Sequence, residues 1–217
     1  MAIPAVISAA HTPKSIVALD CEMIGVGSQS YLARVTIVDY NGDIIVDKFV
    51  KPPVLRNTTL RINYRTHVSG VNKDILNARG EPFPRVQALV LNKLRGKTIL
   101  GHALLNDFKA LQIHDWHTRY SYYDTTEIPF FMNMTRREGY PDRYQPRKLK
   151  DLALEFLGKT IQVEGAPHDS AEDARAVLDL YKAYPDKFVS SSTQSSPPPL
   201  SIGSRHTRKR RTRRSTA

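Results

Sequence analysis

Along "VALDCEMIGVG" (residues 17–27), Val17, Leu19, Cys21 and Met23 alternate with their neighbours as on a pleated strand, while Asp20 and Glu22 occupy the other face. This pattern predicts a first strand over residues 15–23. Two more follow, "YLARVTIVDY" (31–40) and "IIVDKFVKP" (44–52), joined through the hairpin signal "NGD" at 41–43. The three read as an antiparallel meander. The period then lengthens: Val86, Leu89, Val90 and Leu94 recur at helical spacing up to a stop at Gly96. "TILGHA" (98–103) reads as a short buried strand, "LLNDFKALQ" as a helix, and "YSYYDTTEIP" as a fifth strand followed by Asp124 and Glu127 at capping-box spacing. Residues 133–147, rich in Arg, Pro, Gly and Tyr, read as a loop. Leu149, Leu152, Ala153, Phe156 and Leu157 form the stripe of another helix closed by Gly158, and a last helix covers about 170–184. Hairpin strands followed by alternating helices and strands predict an α/β chain with a mixed sheet and helices on both sides.

The 217 residues suffice for one domain with a full core. They divide into an N-terminal extension (1–14), a domain (15–189) and a tail (190–217) whose Ser/Pro-rich start cannot bury a core and is expected to be disordered. Charge sharpens this division. Of the net +11, the tail supplies seven cations and no acid, so the body through residue 189 carries only +4. "RHTRKRRTRR" in that tail is either a solvated end or a nuclear-import or nucleic-acid-binding patch; the second reading is adopted. A single cysteine, Cys21, excludes an internal disulfide and suits a reducing interior. No apolar run approaches 18 residues, so no membrane-spanning helix is expected. "MAIPAVISAA" lacks a basic start and is broken by Pro4, so it is not expected to be a signal peptide.

Three places carry acids where a core belongs. Asp20 and Glu22 stand about 7 Å apart along one strand face. Taken alone, this pattern is usually a solvated strand face. Asp107 shares a helical face with Ala103, Leu104, Ala110 and Leu111, which should press on the sheet. Asp173 falls in the first turn of the last helix, four residues before Val177 and so tilted toward the packed side. Asp169 is placed to cap that helix, with Glu172 completing a capping box. His168 lies just outside it in a loop. Four hard oxygen ligands without a soft one select Mg²⁺ or Mn²⁺ over zinc. They exceed what one Mg²⁺ takes from protein and suit a pair of ions roughly 3.5–4 Å apart that clamps a phosphodiester, with His168 as the base for an attacking water. His114 and His117 lack an acidic or cysteine partner at zinc spacing and read as loop residues. Tyr122 and Tyr123 read as strand packing rather than base stacking.

"ALDCEMIGVG", "GHALLNDFKAL" and "HDSAEDARAVLDLY" resemble, in order, the three motifs of the DEDDh 3′→5′ exonucleases, and in particular the RNA exonuclease 4-like branch. The similarity covers residues 15–184 or so, and His168 stands five positions before Asp173, as in the histidine class. The resemblance implies a ribonuclease H-like fold whose mixed five-stranded sheet joins an antiparallel meander to parallel strands. It also implies two Mg²⁺ or Mn²⁺ ions and release of 5′-monophosphates from a 3′-OH end. It matches Asp20, Glu22, Asp107 and Asp173 to the metal ligands and His168 to the general base. Met23 matches an apolar residue beside the terminal base, and "YRTHVSGV" resembles a substrate-contacting segment that would bring Arg65 to the nucleic acid. The basic extension departs from the usual layout, in which such sequence precedes the nuclease domain. The expectation is therefore an exonuclease of single-stranded RNA, acting on ribosomal precursors in the nucleus or nucleolus and not at a membrane. Two alternatives stand beside it. One is a DNA exonuclease, since phosphate chemistry does not read the 2′-OH; the other is a nucleic-acid-binding protein using mainly its tail, which would not need all four acids.

Overall fold

Strand β1 (Ile16–Val26) is buried along its whole length except at Asp20 and Met23, which are half-buried. A strand covered on both faces belongs in the middle of a sheet. β2 (Gln29–Asp39) and β3 (Ile44–Phe49) extend the sheet antiparallel on one side of β1. β5 (Thr98–Gly101) and β6 (Ser121–Asp124) extend it parallel on the other. The order is β3-β2-β1-β5-β6, with the two-residue β4 (Ile62–Asn63) added antiparallel at the Val26 end of β1. The five expected strands and their mixed directions are present, and β4 is a sixth. This computed structural model describes residues 15–52, 61–136, 139 and 141–188. The N-terminal extension and the tail from residue 190 lie outside the described residues.

Helices cover both faces. On one side α3 (Phe83–Leu94) and α4 (Leu104–Ala110) bury Val86, Val90, Phe108 and Leu111 against Leu19, Val35 and Ile37. On the other, α6 (Leu149–Leu157) and α7 (Ser170–Ala183) bury Leu152, Val177 and Leu180 against Ile16, Ala18 and Val38. Three short helices were not expected: α1 (Thr66–Ser69), α2 (Lys73–Arg79) and α5 (Trp116–Arg119). Asn72 caps α2 by accepting from the Ile75 N–H at 2.9 Å. Tyr122 packs edge-on to Phe108 and Trp116, and Tyr123 against Phe188, so both serve packing as expected.

Two readings are corrected. Residues 133–147 are not all loop: β7 (Met132–Thr135) pairs with β8 (Arg143–Pro146) as a separate two-stranded ribbon. Pro141 precedes β8 and Pro146 is its last residue, positions a two-stranded ribbon tolerates. Asp124 does not cap a helix that follows it. Its carboxylate accepts from the N–H groups of Ala103 (2.9 Å) and Leu104 (2.7 Å), capping α4, which precedes it in the chain, and also from Thr126.

Candidate active site

The pleat of β1 turns Asp20 and Glu22 to the face covered by α7, opposite Thr36 and Arg34 of β2. α7 begins where Asp169 accepts from the Ala171 N–H at 3.1 Å. Its first turn delivers Asp173, only 4% exposed, to the two strand carboxylates. Ligand oxygens of Asp20, Glu22 and Asp173 lie within 4.8 Å of one another. The expected reciprocal half of the capping box is absent; Glu172 instead accepts from the Gln162 N–H at 3.4 Å.

Such crowding has an electrostatic cost. Burial, then the charge of Asp173, pushes Glu22 from 4.5 up to about 8, against the pull of Arg34. Burial raises Asp173 to about 6, although the Gln162 hydrogen bond lowers it. Asp20 is raised well above its ordinary value by burial and by the charges of Asp107, Asp173 and Glu22. One oxygen of Asp173 accepts from Gln162 Nε2 at 2.8 Å. The other is buried without a hydrogen-bond partner among the described residues. A buried carboxylate oxygen with no donor, facing two further carboxylates in an all-oxygen donor set, fits a hard divalent cation, which would relieve the crowding of charge.

Asp107 reaches the site from the opposite face. It is buried on α4 beside Leu104, Phe108 and Ala110, as expected, and burial lifts it to about 8 against the lowering influence of Cys21. It is not among the three acids that converge most closely; it lines an adjoining cleft that shares Asp20, Cys21 and His102 with the first. His168 lines the first cavity with Asp20, Glu22, Gln162 and Asp173. Its backbone N–H is tied to the Val68 carbonyl at 2.7 Å. Partial burial and the charge of Lys150 lower its pKa. Met23 and Arg65 line the second cleft with Asn106 and Lys109. The Arg65 guanidinium donates to Ser30 Oγ at 3.2 Å and lies over Gly25, where a Cβ would come within 3.0 Å of it. His114 and His117 belong to neither cavity.

Backbone strain marks the same place. Among the described residues, four that are not glycine have positive φ: Arg65 (49°), Ala103 (60°), Gln112 (55°) and Gln162 (49°). All four line one of the two clefts. Conformations of this kind persist only where surrounding structure over-determines them, and they gather at functional sites.

The sequence did not reveal Gln162, Cys21, Asp124 or Arg34 as parts of the site. Arg34 grips Asp47 through two nitrogens (2.8 and 3.0 Å) and Asp169 through a third (2.9 Å), binding the start of α7 to the sheet. A buried Thr36–Ser170 hydrogen bond of 2.6 Å makes a second tie. These partners are 134 and 135 residues apart, beyond any local pattern.

A mixed sheet with acids converging from β1, α4 and α7 is the architecture of a nuclease, and the chain belongs to the exonuclease family, which it matches over residues 17–181. Among individual relatives, it is 40% identical over 176 residues to interferon-stimulated 20 kDa exonuclease-like 2 of Mus musculus, covering 79% of this chain and 44% of that one. It is also 40% identical over 186 residues to RNA exonuclease 4 of Mycosarcoma maydis, covering 83% and 45% respectively. The chain thus spans about half the length of these relatives. Among solved structures, the Saccharomyces cerevisiae Pan2 pseudoubiquitin hydrolase–RNA exonuclease module in complex with A7 RNA superposes with a TM-score of 0.61. It shares 28% identity over 83% of this chain and 30% of that one.

Proposed function

We propose that the domain spanning residues 15–189 is a 3′→5′ exoribonuclease. It takes single-stranded RNA with a 3′-OH, releases 5′-mononucleotides and uses two Mg²⁺ or Mn²⁺ ions. Processing of ribosomal precursor RNA in the nucleus is its proposed setting, with the basic tail as address. The observation that carries the reading is the buried cluster of Asp20, Glu22 and Asp173, with its unpartnered Asp173 oxygen, beside His168. Family membership, the relatives named as RNA exonucleases and the RNA-bound structural neighbour support RNA as substrate.

In this reading Asp20, Glu22, Asp107 and Asp173 would hold the ions, which when bound would supply an acidified water and offset charge on the phosphate and the leaving 3′ oxygen. His168 accepts the proton of the attacking water at a ring nitrogen; its lowered pKa keeps the imidazole neutral, and so able to accept, at neutral pH. Gln162 holds one oxygen of Asp173 and leaves the other aimed into the cavity. Met23 offers an apolar surface to the terminal base and Arg65 a cation to its sugar–phosphate, from the cleft beyond Asp20.

The test is digestion of a 5′-labelled RNA oligonucleotide, with a DNA oligonucleotide of the same sequence alongside. The expected product is a stepwise ladder, faster on RNA and abolished by chelator. Asp173→Ala should abolish nucleotide release. His168→Ala should slow it by about 10²–10⁴-fold while sparing Mn²⁺ binding. A fully active Asp173→Ala would refute the mechanism.

A further inference from the structure

The β7–β8 ribbon holds charge and aromatic surface that the proposed site does not use. Residues 132–150 contain six Lys or Arg and two acids, whereas the remainder of the chain through residue 189 contains nineteen of each. The whole net charge of the body is thus carried by one short segment. Part of it is paired: Arg136 with Asp142 at 3.3 Å, and Arg147 with Glu155. Arg143, Lys148 and Lys150 form no ion pair among the described residues. Met134 and Tyr144 face each other across the ribbon and are 50% and 46% exposed. An isolated two-stranded ribbon is marginal by itself. Here its base is fixed by buried Phe131 and by Arg147, which lies over the Phe156 ring at 5.7 Å.

The turn from the ribbon into α6 reaches the active-site cleft. Leu149, three residues beyond β8, lines the cavity with His168 and Asp173, and the charge of Lys150 acts on His168. The carboxylates sit where the two clefts meet. A chain whose scissile phosphate lies there must send its terminal nucleotide to one side and its preceding nucleotides to the other. With the Met23 and Arg65 cleft taken by the terminal nucleotide, the preceding ones leave past Leu149 and Lys150, toward Lys148 and Tyr144.

We infer that the β7–β8 ribbon and the turn into α6 form a track for single-stranded RNA upstream of the cleaved bond. Lys148 and Lys150 meet its phosphates, and the Tyr144–Met134 face meets a base. Unpaired cations beside an exposed aromatic ring suit a flexible polyanion with stacking faces better than they suit a protein surface. The inference rests on the exoribonuclease reading, and the experiment separates the two.

Full-length wild type and the double variant Tyr144→Ala, Lys148→Glu are compared on a 20-nucleotide oligouridylate and on the dinucleotide UpU. Both positions are exposed, so the fold should tolerate the changes, and the unfolding temperature checks this. The variant should lose about tenfold in kcat/KM on the 20-mer through KM, with less than about a twofold change on UpU. The salt slope of KM should fall by about 0.7 for the lost phosphate contact. Equal loss on both substrates, or no loss on the 20-mer, would overturn the track. So would a variant that digests the 20-mer normally but no longer binds phosphatidylserine vesicles, since the patch would then serve a membrane. A wild type that digests neither RNA would refute the nuclease reading itself.

Discussion

Asp173 shows in a single side chain what the site demands: one oxygen held by Gln162, the other buried and unmatched. Removing the Gln162 amide should let the carboxylate turn. Gln162→Gly is the informative change, because glycine accepts φ 49° without strain. Titration calorimetry should show Mn²⁺ binding weakened by about 10–100-fold, the usual effect of losing a group that orients a metal ligand, with the unfolding temperature of the metal-free protein little changed. The raised carboxylates also predict a pH dependence. Asp173 at about 6, and Glu22 and Asp107 at about 8, keep protons in the fold that the unfolded chain loses near pH 4. The folded state therefore binds more protons at these groups across that interval, so their contribution to stability is greatest below about pH 4 and is lost as pH rises through 6 and 8. Denaturant unfolding in chelator should show this decline, and Mn²⁺ should flatten it; a metal-free protein equally stable at pH 5 and pH 8 would contradict it.

At the scale of elements, α4 is the weak member. It has seven residues and begins at Ala103 with positive φ, and no side chain of its own caps it. Asp124, from β6, accepts its first N–H groups, so a residue on a neighbouring strand decides where Asp107 stands. Asp124→Ala should cost about 2–3 kcal/mol in urea unfolding, because it removes a cap and strands buried donors. Nuclease activity should fall with it, since Asp107 would lose its fixed register. The spacing from Asp124 to Glu127 suggested a capping box after β6, whereas Asp124 caps a helix that precedes it and Glu127 takes no part. β7 and β8 are hard to see for a different reason: each has four residues, so alternation such as Met132–Asn133–Met134–Thr135 is too short to stand out beside the Arg-, Pro- and Gly-rich sequence between them.

For the whole molecule, the site exists because two helical layers meet at one strand. α7 packs on one face of β1 and brings Asp173; α4 packs on the other and brings Asp107 beside Cys21. Arg34–Asp169 and Thr36–Ser170 clamp the first of these layers to the sheet. Charge divides in the same way, with a body of +4 and a tail of +7. Deleting residues 200–217 should leave the unfolding temperature of the domain unchanged. If the tail also grips RNA, the salt slope of binding should fall by roughly 0.7 for each phosphate released. An unchanged slope would leave the tail as an address alone.

The order of strands β1, β2, β3, β5 and β6 and of helices α3, α4, α6 and α7, the two-faced sheet and the acids at Asp20, Glu22, Asp107 and Asp173 were legible in the chain. Each leaves a local mark: a period of two or 3.6, or a charge on an apolar face. What lay beyond reach was partnership. That Asp124 holds α4, that Gln162 aims Asp173, and that Arg34 fastens α7 depends on which residues meet after folding. Such contacts are made by single side chains across many intervening residues, and a single side chain has no period.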